Sequence, residues 1–132
     1  MKQGTILNIS RRLVMSKDLN GSHRLFGGTI LSWIDEQAYV EAISLLDADN
    51  VVTRYISEVE FISGAKVGDV VEVRTVFCKT GRTSITLKVE VFNFTTQKVI
   101  ATANEVVMVN VDKSGLPLMC KQPHPSVNND AS

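Results

Sequence analysis

Phe26-Gly27-Gly28-Thr29-Ile30-Leu31-Ser32-Trp33-Ile34-Asp35-Glu36-Gln37-Ala38-Tyr39-Val40-Glu41-Ala42-Ile43-Ser44-Leu45-Leu46 is the stretch on which the fold turns. Ile30, Leu31, Ile34, Ala38, Ala42 and Leu45 recur at steps of three and four, the signature of a helix with one apolar face. Twenty residues at 1.5 Å each give about 30 Å, enough to cross a small sheet. Gly27 and Gly28 stand at its N-terminal end. Inside a helix each weakens it by up to about 1 kcal/mol relative to alanine. A close backbone approach or a ligand is one reason to keep them, and a plain tight turn is the other. Asp47-Ala48-Asp49-Asn50 ends the helix as a polar turn.

On either side the period falls to two, the repeat of strands. Upstream, Thr5 to Met15 reads as a strand with Leu7, Ile9, Leu13 and Met15 on one parity, interrupted by Arg11. A polar loop, Ser16 to Leu25, joins it to the helix. Downstream, Val51, Tyr55, Val59 and Phe61 share one strand face. Val70 to Cys78 follows, with Val71, Val73 and Phe77 on one side. Ile85, Leu87, Val89 and Val91 then alternate with polar residues. Val99, Ala101 and Ala103 continue one face, and Val107, Val109 and Val111 resume it; Glu105 breaks the stripe and marks a β-bulge or a change of face. One helix and about five antiparallel strands make an α+β domain. The sheet face away from the helix would carry Val76, Phe92, Phe94, Val106 and Met108, so a second protomer is expected to cover it.

At 132 residues, with 44% hydrophobic and 21% charged, the chain suits one domain with a sizeable core. Fourteen Lys and Arg balance fourteen Asp and Glu. Nucleic acid therefore meets no overall electrostatic pull and is not expected as a partner. No apolar run reaches the roughly 18 residues of a membrane span. Met1-Lys2-Gln3-Gly4 leads into a mixed stretch rather than a signal-peptide run. Cys78 and Cys120 lie far apart and outside any CxxC, which favours two thiols in a cytoplasmic protein over one disulfide. With two histidines, His23 and His124, and no clustered ligands, no metal site is expected. Residues 113 to 132 differ in character, and the polar end after two prolines reads as a frayed tail. The domain is expected to occupy residues 1–118 and the tail 119–132.

Several side chains could carry chemistry. Asp35 sits at the border of the helix's apolar face, where a carboxylate pays desolvation unless it is paired or used. About two turns separate it from Gly27-Gly28, whose amides it could share a pocket with. A half-exposed acid serving solubility is the alternative. Glu41 is a rival nearer the centre of the apolar arc. Asn20 offers a donor and an acceptor for a water or a carbonyl, although Asn20-Gly21 is also an ordinary turn pair. His23 has no orienting partner in sequence. Gly81-Arg82-Thr83-Ser84, with Lys79 beside it, is either a phosphate-binding turn or a hairpin end.

Taken in order, Asp18-Leu19-Asn20, Phe26-Gly27-Gly28, Leu31-Ser32-Trp33-Ile34-Asp35-Glu36, Val52-Thr53, Phe61, Val67-Gly68-Asp69-Val70 and Gly81-Arg82-Thr83-Ser84 resemble the hotdog-fold acyl-CoA thioesterases. The likeness runs from about Asn8 to Leu118. It implies an antiparallel sheet wrapped around one long helix and a homodimer as minimal active unit, assembling further into tetramers or trimers of dimers. It implies an acyl-CoA substrate with Asp35 as general base or nucleophile. Asn20 from the partner protomer would position water or substrate, and the amide of Gly27 or Gly28 would polarise the thioester carbonyl. Arg82, Thr83 and Ser84, with Gly81 and Lys79, would hold the coenzyme A moiety, and no cofactor would be required. Trp33, Ile34 and Tyr39 would line or support an acyl slot, or simply pack the core. The family commonly has glycine where this chain has His23, a residue that tolerates positive φ better than most. Hydrolysis of acyl carrier protein thioesters and non-catalytic acyl-CoA binding are the alternatives.

Overall fold

Helix α1 (Gly27–Leu46) forms over the predicted stretch in a computed structural model that describes residues 1–121. The expectations for His124 and for the polar end of the chain fall outside those residues. Asp47 closes the helix in the left-handed region, its amide donating to the Ile43 carbonyl. Asp is among the few non-glycine residues that visit that region readily. Ile30, Ile34, Ala38, Ala42 and Leu45 are buried as the period requires, joined by Trp33, Gln37 and Leu46; Leu31 is exposed instead.

Six strands follow the order β1 (Ile6–Leu13), β4 (Val70–Thr80), β5 (Ser84–Asn93), β6 (Lys98–Asn110), β2 (Val51–Ile56), with β3 (Val59–Phe61) also on β6. All pairings are antiparallel. The α1 face is buried against Val71, Val73 and Phe77 of β4 and Ile85, Leu87, Val89 and Val91 of β5, as the alternation predicts.

Three strand readings need correction. In β1 the parity holding Ile9 and Leu13 is exposed, as is Met15 just beyond the strand, while Ser10 bonds Gln37 of the helix. The inward positions of this edge strand are polar and meet a polar side of α1, so apolar content misidentifies its core face. The stretch from Val51 to Phe61 is two strands, each paired to β6, with Tyr55 and Phe61 exposed. In β6 the inward side chains are Ala101, Ala103, Val106 and Met108, so Val106 and Met108 do not lie on the outer face. The cause is a bulge at Asn104–Glu105, where Leu87 faces Val106 but Val89 faces Ala103. One extra residue changes the parity of everything beyond it.

Similar shifts occur at Leu7, Cys78 and Arg54. With the β6 bulge they form a band across the middle of the sheet. Bulges bend strands and increase their twist, which suits a sheet that must curl around a helix. The outer face is more charged than expected. Glu72, only 4% exposed, accepts from Arg11 at 3.0 Å and Arg74 at 2.8 Å. Arg74 lies 4.0 Å over the Phe92 ring and Arg11 4.9 Å over Phe94, partly covering the aromatic surface.

Glu41 shows how the β1 seam titrates. Burial raises its pKa, opposed by hydrogen bonds from Asn8 and Gln37. Between the ordinary and the raised value the folded chain binds more protons than the unfolded one, so stability falls as pH rises through that window. Glu41→Gln should therefore raise the melting temperature at pH 7, and the gain should vanish below the ordinary glutamate pKa. Thermal denaturation across pH checks this.

Candidate active site

The loop before α1 is clamped by Asp18, a buried acid that sequence reasoning left without a task. Its carboxylate accepts from the Met15 amide at 2.9 Å and the Lys17 ammonium at 3.1 Å, and its carbonyl accepts from the Phe26 amide at 2.9 Å. Burial opposes the charge, but these donors outweigh it and hold the carboxyl below its usual range. Within the loop, the Asn20 side-chain oxygen accepts from the amides of Ser22 and Arg24 at 2.9 and 3.2 Å. The oxygen is thereby engaged in the turn, and the carboxamide nitrogen is its remaining hydrogen-bonding end. His23 takes φ +60, the left-handed conformation that glycine adopts with least strain.

Phe26 caps the helix with backbone only, so no side chain satisfies the amides of the first turn. Gly28 leaves room for the Phe26 ring, since a Cβ there would lie 2.8 Å from it; a Cβ on Gly27 would meet the Phe61 ring at 3.7 Å. Two exposed aromatic rings thus flank unsatisfied N–H groups. Asp35 stands seven residues on, about two turns and 10 Å along the axis and on nearly the same stripe of the helix as Gly28. It is partly buried, and its Oδ1 accepts from Thr53 Oγ1 of β2 at 2.5 Å.

The sequence pattern alone gives Thr53 no role. The signal was a hydroxyl two positions after inward-facing Val51, on the strand that returns past the helix. No hydrogen bond joins Asn20 to Asp35 within the described residues of one protomer. Trp33 and Ile34 belong to the core, whereas Tyr39 is exposed. The other expected group lies farther along the sheet. Thr53 pairs with Met108, which pairs with Ile85; the next inward row holds Val51, Asn110 and Thr83. The Gly81–Ser84 turn is thus about two residues, or 7 Å, beyond the Thr53 row and two strands across, about 10 Å. Gly81 donates its amide to the Ser84 carbonyl at 2.8 Å, and a Cβ on Gly81 would lie 2.7 Å from Ser84 Oγ. Arg82 and Lys79 are exposed and form no ion pair among the described residues.

Burial pushes the thiols of Cys78 and Cys120 up, with Glu105 adding to the effect at Cys78, so both stay protonated near neutrality. Among the described residues no three His, Cys, Asp or Glu side chains gather to hold a metal. No helix there is long and apolar enough to cross a membrane.

A single long helix packed against one six-stranded antiparallel sheet defines a hotdog protein. Residues 23–100 match the thioesterase superfamily, and the chain belongs to it. An uncharacterized acyl-CoA thioester hydrolase of Buchnera aphidicola subsp. Baizongia pistaciae is 36% identical over 84 residues, 64% of this chain and 62% of that protein. The chain thus spans under two thirds of that relative's length. An apo hexameric acyl-CoA thioesterase superposes with TM-score 0.77 and 37% identity, over 89% of this chain and 77% of that one. An acyl-CoA hydrolase from Staphylococcus aureus, solved with butyryl coenzyme A, coenzyme A and coenzyme A disulfide, gives TM-score 0.74 and 27% identity, over 86% and 68%. That enzyme has also been solved with one asparagine, one aspartate and one threonine each replaced by alanine. Its asparagine and aspartate are as far apart in sequence as Asn20 and Asp35 are here, and its threonine is one residue nearer the aspartate than Thr53 is to Asp35.

Proposed function

We propose that this chain hydrolyses acyl-CoA thioesters, with Asp35 as general base. The observation that carries the reading is the Asp35–Thr53 pair on the helix stripe that begins at the uncapped Gly27-Gly28 amides. Asp35 takes a proton from water as the oxygen adds to the thioester carbonyl. The Gly27 or Gly28 amide holds the oxyanion, aided by the positive end of the helix dipole. Collapse breaks the C–S bond, and the proton on Asp35 passes to the departing thiolate. Thr53, by donating to one carboxylate oxygen, leaves the other free to meet water. The thioester is activated enough that this route needs no metal or cofactor.

Asn20 of a partner protomer presents its carboxamide nitrogen to the water or carbonyl, which makes the homodimer the minimal active unit. Val52 and Tyr55 are exposed on β2, which ends the strand order, and this edge suits pairing between two copies. Further assembly into a hexamer follows the hexameric relative. Arg82, Thr83 and Ser84, with Gly81 and Lys79, take the coenzyme's phosphates, and the two unbridged thiols suit a cytoplasmic setting.

Measuring free thiol released from a panel of acyl-CoAs tests the reading, with acyl carrier protein conjugates run alongside. Turnover of acyl-CoAs is the expected result. Tight binding without release would overturn it in favour of a non-catalytic binder.

A further inference from the structure

The chain does not stop at the end of β6. Asp112 turns it back on itself: its carboxylate accepts from the amides of Ser114 and Leu116, and Gly115 takes φ +89. Val111 and Pro117 form a bridge between the two limbs. The returning limb, residues 116–121, forms a strap of exposed apolar side chains, Leu116, Leu118 and Met119, held by its backbone.

Two places hold it. Asn110, 3% exposed, donates its side-chain amide to the carbonyls of Leu118 and Met119 at 3.2 Å each, and its own carbonyl accepts from the Leu118 amide at 2.9 Å. The same residue's backbone amide donates to the Thr83 carbonyl at 2.7 Å. Farther along, the Cys120 amide donates to the Arg82 carbonyl at 2.9 Å. The turn bearing Arg82 and Thr83 is therefore tied from one side by β6 and from the other by the strap, and Asn110 joins both ties.

We infer that the strap and Asn110 position the Gly81–Ser84 turn for the phosphates of coenzyme A, so that they set affinity for the coenzyme without touching the reacting atoms. This rests on the assignment of that turn as the coenzyme-binding element. A turn with exposed cations binds an anion well only if its backbone is already in place, because ordering it on binding subtracts from affinity. The Arg82 carbonyl is fixed by the strap, which restrains the base of the guanidinium side chain. Asn110 is a positioning residue.

At Cys120 the strap can be loosened outside the sheet, and at Asn110 by a change that leaves the backbone pairing of β6 in place. Cys120→Pro removes the one N–H that reaches Arg82, while Cys120→Ala keeps it and serves as control. Asn110→Asp keeps the shape but sets an acceptor against two carbonyls. Arg82→Ala reports on the turn itself. The probes are free coenzyme A, for its Kd, and an acyl-CoA found to turn over, for KM and kcat. Cys120→Pro, which loses one hydrogen bond, should raise Kd and KM by about three- to ten-fold, and Asn110→Asp, which loses two, by at least as much, with kcat within about two-fold for both. Cys120→Ala should match the parent. If Arg82→Ala weakens coenzyme binding but both strap variants bind as the parent does, the inference fails alone. If Arg82→Ala also leaves Kd unchanged, the coenzyme assignment of the turn fails and takes the inference with it. A fall in melting temperature with KM unmoved shows a structural strap only, and overturns the inference as well.

Discussion

Asp35→Ala should lower kcat for acyl-CoA hydrolysis by about 10²- to 10⁴-fold, the usual contribution of a positioned general base. The fold should survive. Asp35 is only partly buried, and its hydrogen-bond partner among the described residues is one threonine hydroxyl, so its removal opens no core cavity. Melting temperature and oligomeric mass should stay near the parent's while thiol release from acyl-CoA falls away. Asp35→Asn should behave alike, because the amide keeps the shape and the bond to Thr53 but cannot take a proton from water. Thr53→Val should cost far less, since Thr53 only orients the carboxylate. Steady-state kinetics on purified oligomers decide the matter, and parental turnover by either Asp35 variant would remove the carboxylate from the mechanism.

The largest loss of stability should come from its neighbour. Ile34 is fully buried, one residue before Asp35, in the core cluster between α1 and the sheet. Ile34→Ala should cost about 2–5 kcal/mol, transfer and cavity together, a large share of a typical domain's stability. Ile34→Val should cost only about 0.5–1.5 kcal/mol. Urea denaturation measures both. The contrast bears on function because helix residues 34 and 35 point about 100° apart. The side chain that anchors α1 in the core thereby fixes the direction in which the carboxylate leaves it. The valine variant should keep parental kcat, which would separate loss of stability from loss of chemistry.

The helix is legible to within a residue because its apolar spacing is long and regular, β5 because it alternates without interruption, and β4 because most of its inward positions are apolar up to the bulge at Cys78. Strand β1 faces opposite to its apolar parity for a physical reason. It lies at the edge, its inward positions meet the polar flank of α1 around Gln37 and Glu41, and its apolar side chains face outward. Strand β6 departs from its sequence pattern beyond Glu105 because a bulge leaves no mark in composition except a break in the stripe. At the candidate site, the placement of Asp35 two turns along the helix from Gly27-Gly28 is legible from helical spacing. The bond from Thr53 is not, because it depends on which helix residue β2 returns past, and that is a tertiary fact. Asp18 looked like one polar loop residue among several, and only its burial shows it as the clamp.

The band of bulges across the sheet separates two properties that strands normally bind together. In a plain strand, sequence alternation fixes which residues face inward, and twist comes with it. Here the extra residue at Asn104–Glu105 shapes the surface while occupying no place among the inward set, which passes from Ala103 directly to Val106. Shortening the strand by that residue would leave the same side chains against the helix and take away the bend. Curvature and interior composition are thus encoded at different positions, so either could drift over generations without rewriting the other.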